Sequence, residues 1–340
     1  MSKTNSTIDS DVVLKWFRDG FELPELKSDQ PWFEYSQDPL KARAAALHID
    51  SELTRSLPPT FLLENPTATL AAQWLTKPSD NFEPLQLRLF KGSSEPPLFF
   101  FHGDFNFGGL DAPLLARTLS PIPLALIYQN DILDDRFPKN VRKLAEAALP
   151  LILAVQSDGP FHLAGFCNGG ILAQEVAHLL EQRGFQVTFC GLVEPSIQHA
   201  FIKHPLRLLS RWIPSQEKLI RRTLSRITRK LAFKPERYQT PPVFLDSSLR
   251  PFWNALEKRI PLMEKRNQLY GNMLLQYRSP KLDCPVHFWF SEQSLGNLRI
   301  PKKWPCRLIG GHDITVHSVD GQHDQWSHAD FSNVIRSLMP

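Results

Sequence analysis

The chain has 340 residues, 42% of them hydrophobic and 22% charged, with a formal net charge of +4, which fits one large folded domain or two unequal ones. No apolar run reaches the roughly 18 residues of a membrane span, and MSKTNSTIDSDVV has no apolar signal core, so neither a transmembrane segment nor secretion is expected. The four cysteines, at 167, 190, 284 and 306, show neither zinc spacing nor a disulfide framework; no metal site is expected, and a cytoplasmic location, where a reactive thiol persists, fits best.

In chain order, the first 80 residues read as short helices separated by proline-containing loops. Residues 10–21 place Val12, Val13, Leu14, Trp16 and Phe17 on roughly one helical face. Residues 38–57 open with Asp38 as an N-cap and Pro39 at the first helical position. Residues 65–75 repeat that start, with Asn65 capping and Pro66 following. The proline-rich KPSDNFEP (77–84) and KGSSEPP (91–97) flank a possible strand, LQLRLF, and the domain boundary is expected here.

Beyond that boundary the pattern changes. PLFFFHG (97–103) is a short, wholly apolar run of the kind buried on both faces of a parallel sheet. IPLALIY (122–128), GPFHLAGF (159–166), FQVTFCGLVE (185–194), CPVHFWF (284–290) and TVHSV (315–319) are similar. Helical stretches at 141–156 and 169–183 separate several of them, which predicts an α/β fold with a doubly wound, mostly parallel sheet. Between 194 and 284 the alternation stops.

Gly165-Phe166-Cys167-Asn168-Gly169 has the form of a nucleophile elbow, in which a strand turns sharply into a helix and holds the central residue in a strained conformation. Cys167 is therefore the expected nucleophile, and the helix N-terminus after it would favour thiolate. The competing reading is a small buried cysteine, the ordinary fate of a free thiol and the one expected for Cys190, Cys284 and Cys306.

A triad on this architecture runs nucleophile, acid, histidine along the chain. His323, in VDGQHDQWSHADF, lies in a glycine-containing loop after the last strand and before a C-terminal amphipathic helix and is the expected base; His312 and His328 are its rivals. His102, in FFFHGD, is expected to shape the oxyanion loop. Glu194 and Glu292, each ending a strand, compete to orient the imidazole, with Asp246 and Asp313 behind them. Glu194 is preferred because its strand would otherwise bury a charge and Pro195 stops it there. The oxyanion donors are expected to be the backbone N–H groups of Asn168 and Asp104, the latter in the loop HGDFNFGG. A phosphate-binding loop is the alternative for that glycine-rich stretch, but neither a P-loop nor a dinucleotide fingerprint is present.

FFFHGDFNFGG, GPFHLAGFCNGGILAQEVAHLLEQRGFQV, GLVEPS and VDGQH together resemble the thioesterase domains that end polyketide and nonribosomal peptide synthetases, over residues 96–340. The resemblance implies an α/β-hydrolase fold with a helical lid, here 196–283, and the 27-residue step from Cys167 to Glu194 looks like the family's nucleophile-to-acid interval. The family usually carries serine as nucleophile and aspartate as acid; this chain is similar to a minority branch with CNGG. Residues 8–76 resemble an acyl- or peptidyl-carrier domain. Where active carriers hold phosphopantetheine on the serine of Asp-Ser-Leu, this sequence reads Asp38-Pro39-Leu40. Proline has no hydroxyl, so the implied module is an unmodified pseudo-carrier. Ser51, in HIDSELT, is followed by too few residues before PPTF for a carrier's second helix. The expected organisation is a carrier-like helical domain at 1–80, a linker at 81–95 and the hydrolase with its lid at 96–340.

The lid carries a charge of its own. Residues 196–240 hold eleven Lys/Arg against Glu217 and Glu236, a local +9 that leaves −5 on the rest of the chain. Arg221, Arg222 and Arg226 are the candidates for docking an acidic carrier protein; a solvated helix face, a membrane surface and nucleic acid are the other readings.

The function implied is a thioesterase or acyltransferase that releases or transfers a polyketide or peptidyl chain through a cysteine acyl-enzyme. The chain would bind no cofactor itself. Its substrate would ride on the phosphopantetheine of a separate carrier protein, with water or a small molecule as acceptor and no nucleic acid involved. A dienelactone-hydrolase-like cysteine hydrolase and a non-catalytic adaptor in a synthetase assembly are the alternatives. A thioester intermediate also suggests transfer to an amine or another demanding nucleophile rather than plain hydrolysis.

Overall fold

The computed structural model describes residues 8–53, 56–76, 82–104, 106–195, 253–291, 306, 313–322, 325–326 and 328–339. The predicted α/β sheet is present, with seven strands: β1 (Leu85–Phe90), β2 (Leu98–Phe101), β3 (Leu124–Gln129), β4 (Phe161–Phe166), β5 (Val187–Val193), β6 (Val286–Ser291) and β7 (Ile314–Val319). Their order is β1-β3-β2-β4-β5-β6-β7, with β1 antiparallel to β3 and every other pair parallel, an α/β-hydrolase arrangement.

The apolar runs form strands because both faces of the sheet are covered. Every residue of β2, β3, β4 and β6 is buried. Alternation along a strand sends Phe99 and Phe101 of β2 into the core beneath α6 (Val141–Val155) and α7 (Asn168–Gln182). Leu98 and Phe100 go to the opposite core, shared with α5 (Ala112–Leu119) and the C-terminal helix α9 (His328–Leu338).

That second core does not stop at the sheet. It continues into the N-terminal helices α1 (Ser10–Phe21), α2 (Pro39–Glu52), α3 (Phe61–Glu64) and α4 (Ala68–Thr76), through Val13, Phe17, Trp32, Ala45 and Phe61. Trp32 is its pivot: the fully buried indole stacks on Phe21 with 4.8 Å between centroids and donates Nε1–H to the Leu62 carbonyl at 2.9 Å. The start of α2 is as expected, with Asp38 Oδ1 accepting the Leu40 N–H at 2.8 Å ahead of Pro39. The expected Asn65 cap is corrected. Asn65 closes α3, donating Nδ2–H and N–H to the Phe61 carbonyl at 3.1 and 2.8 Å, and α4 begins later, at Ala68. The physical reason is that Thr67 Oγ1, not Asn65, accepts an orphan N–H of that first turn, from Leu70 at 3.2 Å. Within the stretch read as the 81–95 linker, β1 is the edge strand of the sheet.

Within the predicted lid, a long helix α8 (Trp253–Gln276) is described; residues 196–252, with Arg221, Arg222, Arg226 and Asp246, lie outside the described residues.

Candidate active site

In a parallel sheet the loops leaving the carboxyl ends of neighbouring strands meet. Here β2, β4 and β5 are neighbours, so the segments after Phe101, Phe166 and Val193 converge. Those segments carry His102 and Asp104, Cys167, and Glu194.

Cys167 lies between β4 and α7 with φ 52° and ψ −116°, a conformation that costs a residue with a Cβ about 1–3 kcal/mol and that the surrounding contacts must hold. Its N–H donates to the Val193 carbonyl at 2.8 Å. Close approach does the rest: a Cβ on Gly169 would lie 2.0 Å from the Phe101 carbonyl oxygen, and one on Gly103 would lie 2.5 Å from the Asn168 nitrogen. The β2 loop therefore runs against the first turn of α7, and Asn168 Nδ2–H reaches the Gly103 carbonyl at 3.4 Å. Cys167 is partly exposed, whereas Cys190, Cys284 and Cys306 are buried. Burial pushes the thiols of Cys190 and Cys284 up and that of Cys306 up to about 12.

Glu194 ends β5 at φ 46° and is only 3% exposed. Its N–H donates to the Trp289 carbonyl at 2.8 Å, and its Oε1 accepts the Ser291 N–H, so the carboxylate is turned toward the end of β6. Asp313 sits elsewhere: its carbonyl accepts the Val286 N–H at 2.9 Å, at the amino end of β6 and the opposite edge of the sheet from Cys167. Glu292, His312 and His323 lie outside the described residues, His323 between the short paired strands β8 (Gly321–Gln322) and β9 (Gln325–Trp326).

His102 and His328 share one carboxylate. Asp111 Oδ1 is 2.8 Å from His102 Nε2, and Oδ2 is 3.3 Å from His328 Nε2 at the start of α9. The other face of His102 meets the β2 loop, where Nδ1 accepts the Asp104 N–H at 3.1 Å. Asp104 Oδ1 in turn accepts the N–H groups of Asn106 and Phe107 at 2.8 and 3.3 Å. Burial works against charge on His102, but the Asp111 carboxylate, with a smaller contribution from Asp104, outweighs it and raises the imidazole. Burial also opposes the Asp111 anion; His102 and His328 overcome that and hold it well below the usual carboxylate range.

Helix α8 crosses above these loops and contributes side chains that the motif reading missed. Tyr270 donates its hydroxyl to the Asn168 carbonyl at 3.0 Å, and Tyr277 donates to Glu175 Oε2 at 2.9 Å. Arg266 forks onto Asp131 after β3 at 2.9 and 2.7 Å. Arg259 meets Asp50 of α2 and the Asn106 carbonyl. Burial, with Cys167 adding to it, pushes the Tyr270 hydroxyl up, so it stays a neutral donor. The signal available in the sequence was the spacing: positions 259, 263, 266, 270, 273 and 277 form one stripe, all buried in the structure.

Among the described residues, no three His, Cys, Asp or Glu side chains are grouped as a metal ion would require, and no helix is long and apolar enough to cross a membrane.

Comparison with known proteins places this site in a context. Residues 97–208, which span the β2 loop, the elbow and the residues just past Glu194, match a family model described as a thioesterase domain. Enterobactin synthase component F of Escherichia coli (strain K12) is 29% identical over 181 residues, covering 49% of this chain and 13% of that protein. A dimodular nonribosomal peptide synthase of Bacillus subtilis (strain 168) is 25% identical over 195 residues, covering 57% of this chain and 8% of that one. The chain thus spans a small fraction of the length of these relatives. The crystal structure of a holo four-domain nonribosomal peptide synthetase bound to AMP and glycine superimposes with a TM-score of 0.51 at 16% identity, covering 100% of this chain and 27% of that one, a likeness of fold.

Proposed function

We propose that this chain is an acyl-transfer enzyme of the thioesterase kind, acting on a polyketide or peptidyl chain held as a thioester on a separate carrier protein. The observation that carries the reading is Cys167 at a positive-φ strand-to-helix turn, with Glu194 at the end of the adjoining strand. A structural cysteine needs no such conformation, and the other three described thiols are buried. In this reading the nucleophile is Cys167, the base is His323 and Glu194 orients it.

The Cys167 thiol gives its proton to His323 and the sulfur attacks the acyl carbonyl carbon. The bond from that carbon to the pantetheine sulfur breaks, and the departing sulfur takes the proton from His323. A thioester acyl-enzyme results, close in energy to the donor thioester. An acceptor then gives a proton to His323 as it attacks, and the Cys167 sulfur leaves and is reprotonated. The Asn168 N–H, at the first turn of α7, and the Asp104 N–H, once it leaves the His102 Nδ1 that accepts it in the structure, stabilise the oxyanion. Because the intermediate keeps its thioester energy, amine acceptors compete with water. The N-terminal helices form the pseudo-carrier module, in which Pro39 occupies the first helical position and offers no hydroxyl to load. The basic residues Arg221, Arg222 and Arg226 would meet the acidic carrier.

The test is intact-mass analysis of the chain after incubation with acyl-pantetheine thioesters. An acyl adduct that maps to Cys167 and disappears in Cys167→Ala is expected. Absence of any adduct across short, long and peptidyl thioesters would overturn the reading. Free acid as the sole product, whatever amine is offered, would sink the preference for transfer.

A further inference from the structure

We propose that the N-terminal helical unit is a positioning element for the loop bearing Asp104, acting through the buried Asp50–Arg259 pair. The inference rests on the reading of that loop as an oxyanion element.

Three contacts seat the turn at 106–108 on groups outside the sheet. Arg259 Nη1 donates to the Asn106 carbonyl at 3.2 Å, while its Nε donates to Asp50 Oδ2 of α2 at 2.5 Å. The Phe107 ring lies beneath two guanidinium groups, that of Arg43 from α2 at 5.6 Å and that of Arg259 from α8 at 5.5 Å. Gly108, at φ +59°, lies so close to the N-terminal unit that a Cβ would sit 2.5 Å from the Pro59 carbonyl oxygen. The turn is itself stiff, since Asp104 Oδ1 accepts both the Asn106 and Phe107 N–H groups. Moving it moves Asp104.

Charge makes the arrangement all-or-none. Arg259 is 3% and Asp50 5% exposed, so parting them leaves two buried charges uncompensated. Asp50 also accepts the Leu57 N–H at 2.9 Å, which fixes it within its own unit. Around the pair, Leu47 of α2 packs with Ala255, Leu256 and Met263 of α8. The same α8 holds the Asn168 carbonyl through Tyr270, so one helix, anchored on the N-terminal unit, touches the carbonyl of one candidate donor residue and, at Asn106, the turn two residues after the other. The N-terminal unit thereby acts on the reaction without supplying a group that touches substrate.

The experiment uses the full chain and Asp50→Asn, with Asp50→Glu as the charge-retaining control and Phe107→Leu as a second variant that leaves the ion pair intact. Three rates are compared: amide hydrogen exchange of peptides spanning 103–109 and 169–182, acylation of Cys167 by an acyl-N-acetylcysteamine thioester, and its alkylation by iodoacetamide, which forms no oxyanion. In Asp50→Asn and Phe107→Leu, exchange in 103–109 should rise about tenfold with 169–182 unchanged, acylation should fall about tenfold or more, and alkylation should stay within about twofold. Asp50→Glu should recover most of the acylation rate. Unchanged loop exchange, acylation and alkylation falling together, or Asp50→Glu as slow as Asp50→Asn would each overturn the proposal. Should Asp50→Asn fail to fold, Arg259→Lys, which keeps a cation for Asp50 but loses the fork that also reaches the Asn106 carbonyl, takes its place with the same expectations, and unchanged loop exchange in it would overturn the proposal. A wild-type chain that is alkylated but never acylated would instead overturn the acyl-transfer reading, and loop exchange would still decide whether the unit positions the loop.

Discussion

The Cys167 amide donates to the Val193 carbonyl at 2.8 Å, and the next residue, just past that strand, is Glu194. One backbone hydrogen bond thus locks the turn carrying the thiol to the strand end carrying the carboxylate. Glu194 is buried, and its Oε1 accepts the Ser291 N–H. Glu194→Gln keeps an acceptor for that N–H but removes the charge that would orient and stabilise an imidazolium. Acylation of Cys167 should slow by about a hundredfold or more, with thermal stability little changed. Stopped-time mass spectrometry of the acyl-enzyme reads the rate; a variant as fast as wild type would remove Glu194 from the acid's role.

The elbow depends on contact distances that a single methyl group violates. Gly169→Ala would place its Cβ 2.0 Å from the Phe101 carbonyl oxygen, backbone against backbone, so strand β2 and helix α7 must separate. A loss of about 3 kcal/mol or more is expected in denaturant unfolding. Gly184→Ala is the control: at φ +80° with nothing within 4 Å, it meets only conformational strain, about 1 kcal/mol.

The contrast between these two glycines shows what the sequence exposed and what it hid. Gly169 was legible because its neighbours at 165 and 167 form a motif with a mechanical meaning, and the apolar runs at 98–101 and 161–166 could only be buried parallel strands. The Asn65 cap misled, because Asn-Pro is equally good at ending one helix as at starting another, and only the placement of Thr67 distinguishes them. Helix α8 was hidden for a different reason. Its inward stripe carries Arg259, Arg266 and Tyr270 and continues to Tyr277 just past its end, and their polar tips find partners at Asp50, Asp131, Asn168 and Glu175, all distant in sequence. A polar residue reads as solvent-facing until its partner is known.

The His102–Asp111 pair makes the β2 loop sensitive to pH. His102 titrates above its ordinary value in the fold, so its contribution to stability is fully present below about 6.5 and is lost as pH rises through the raised value. Asp111 is lowered, so its contribution is present above about 3.9 and lost as pH falls. Once His102 is protonated, Nδ1 can no longer accept the Asp104 N–H. Exchange at the Asp104 amide, corrected for its intrinsic pH dependence, should therefore speed up as pH falls through the His102 titration. Asp111→Asn removes the anion that raises His102, so burial should dominate and that transition should move to lower pH, as followed by imidazole NMR. A transition that stays in place would disprove the coupling.

A second set of histidines should weaken the fold in acid. His162 on β4 and His287 on β6 are buried and lowered to about 4, His287 by burial first and then by His317, with Asp313 acting in the opposite sense. His162 Nδ1 lies 2.6 Å from Thr188 Oγ1, and His287 Nδ1 lies 3.0 Å from His317 Nε2, with the latter two rings stacked. The unfolded chain takes up these protons near pH 6.5 and the folded one near 4, so between those values the unfolded state binds more protons and stability falls as pH falls. The full shift corresponds to about 3 kcal/mol per histidine, and solvent screening of these incompletely buried rings leaves roughly 1–2 kcal/mol of acid destabilisation each. His287→Phe should flatten the stability curve between pH 6.5 and 4 without lowering it at pH 8; urea titrations at stepped pH would show it, and an unaltered slope would refute it.

Tyr270 of α8 and Tyr277, the residue just past its end, lie two helical turns apart and fasten it to the elbow helix at Asn168 and Glu175. Removing either hydroxyl forfeits one buried hydrogen bond, about 0.5–1.5 kcal/mol. The consequences should differ, because the Tyr277 partner is a buried carboxylate and the Tyr270 partner is the carbonyl of the residue just after the nucleophile. Glu175 keeps Arg142, whose NH1 lies 3.2 Å from Oε1, so Tyr277→Phe should cost stability and leave acylation nearly unchanged. Tyr270→Phe should cost a similar amount of stability but slow acylation by about fivefold to tenfold, because it frees the peptide whose neighbouring N–H serves the oxyanion. If α8 lifts as a unit, the double variant will lose less than the sum of the two, since the first substitution already weakens what the second would break. Denaturant unfolding and acylation rates across the four proteins resolve all three statements, and equal rate losses in the two single variants would show that Tyr270 only packs.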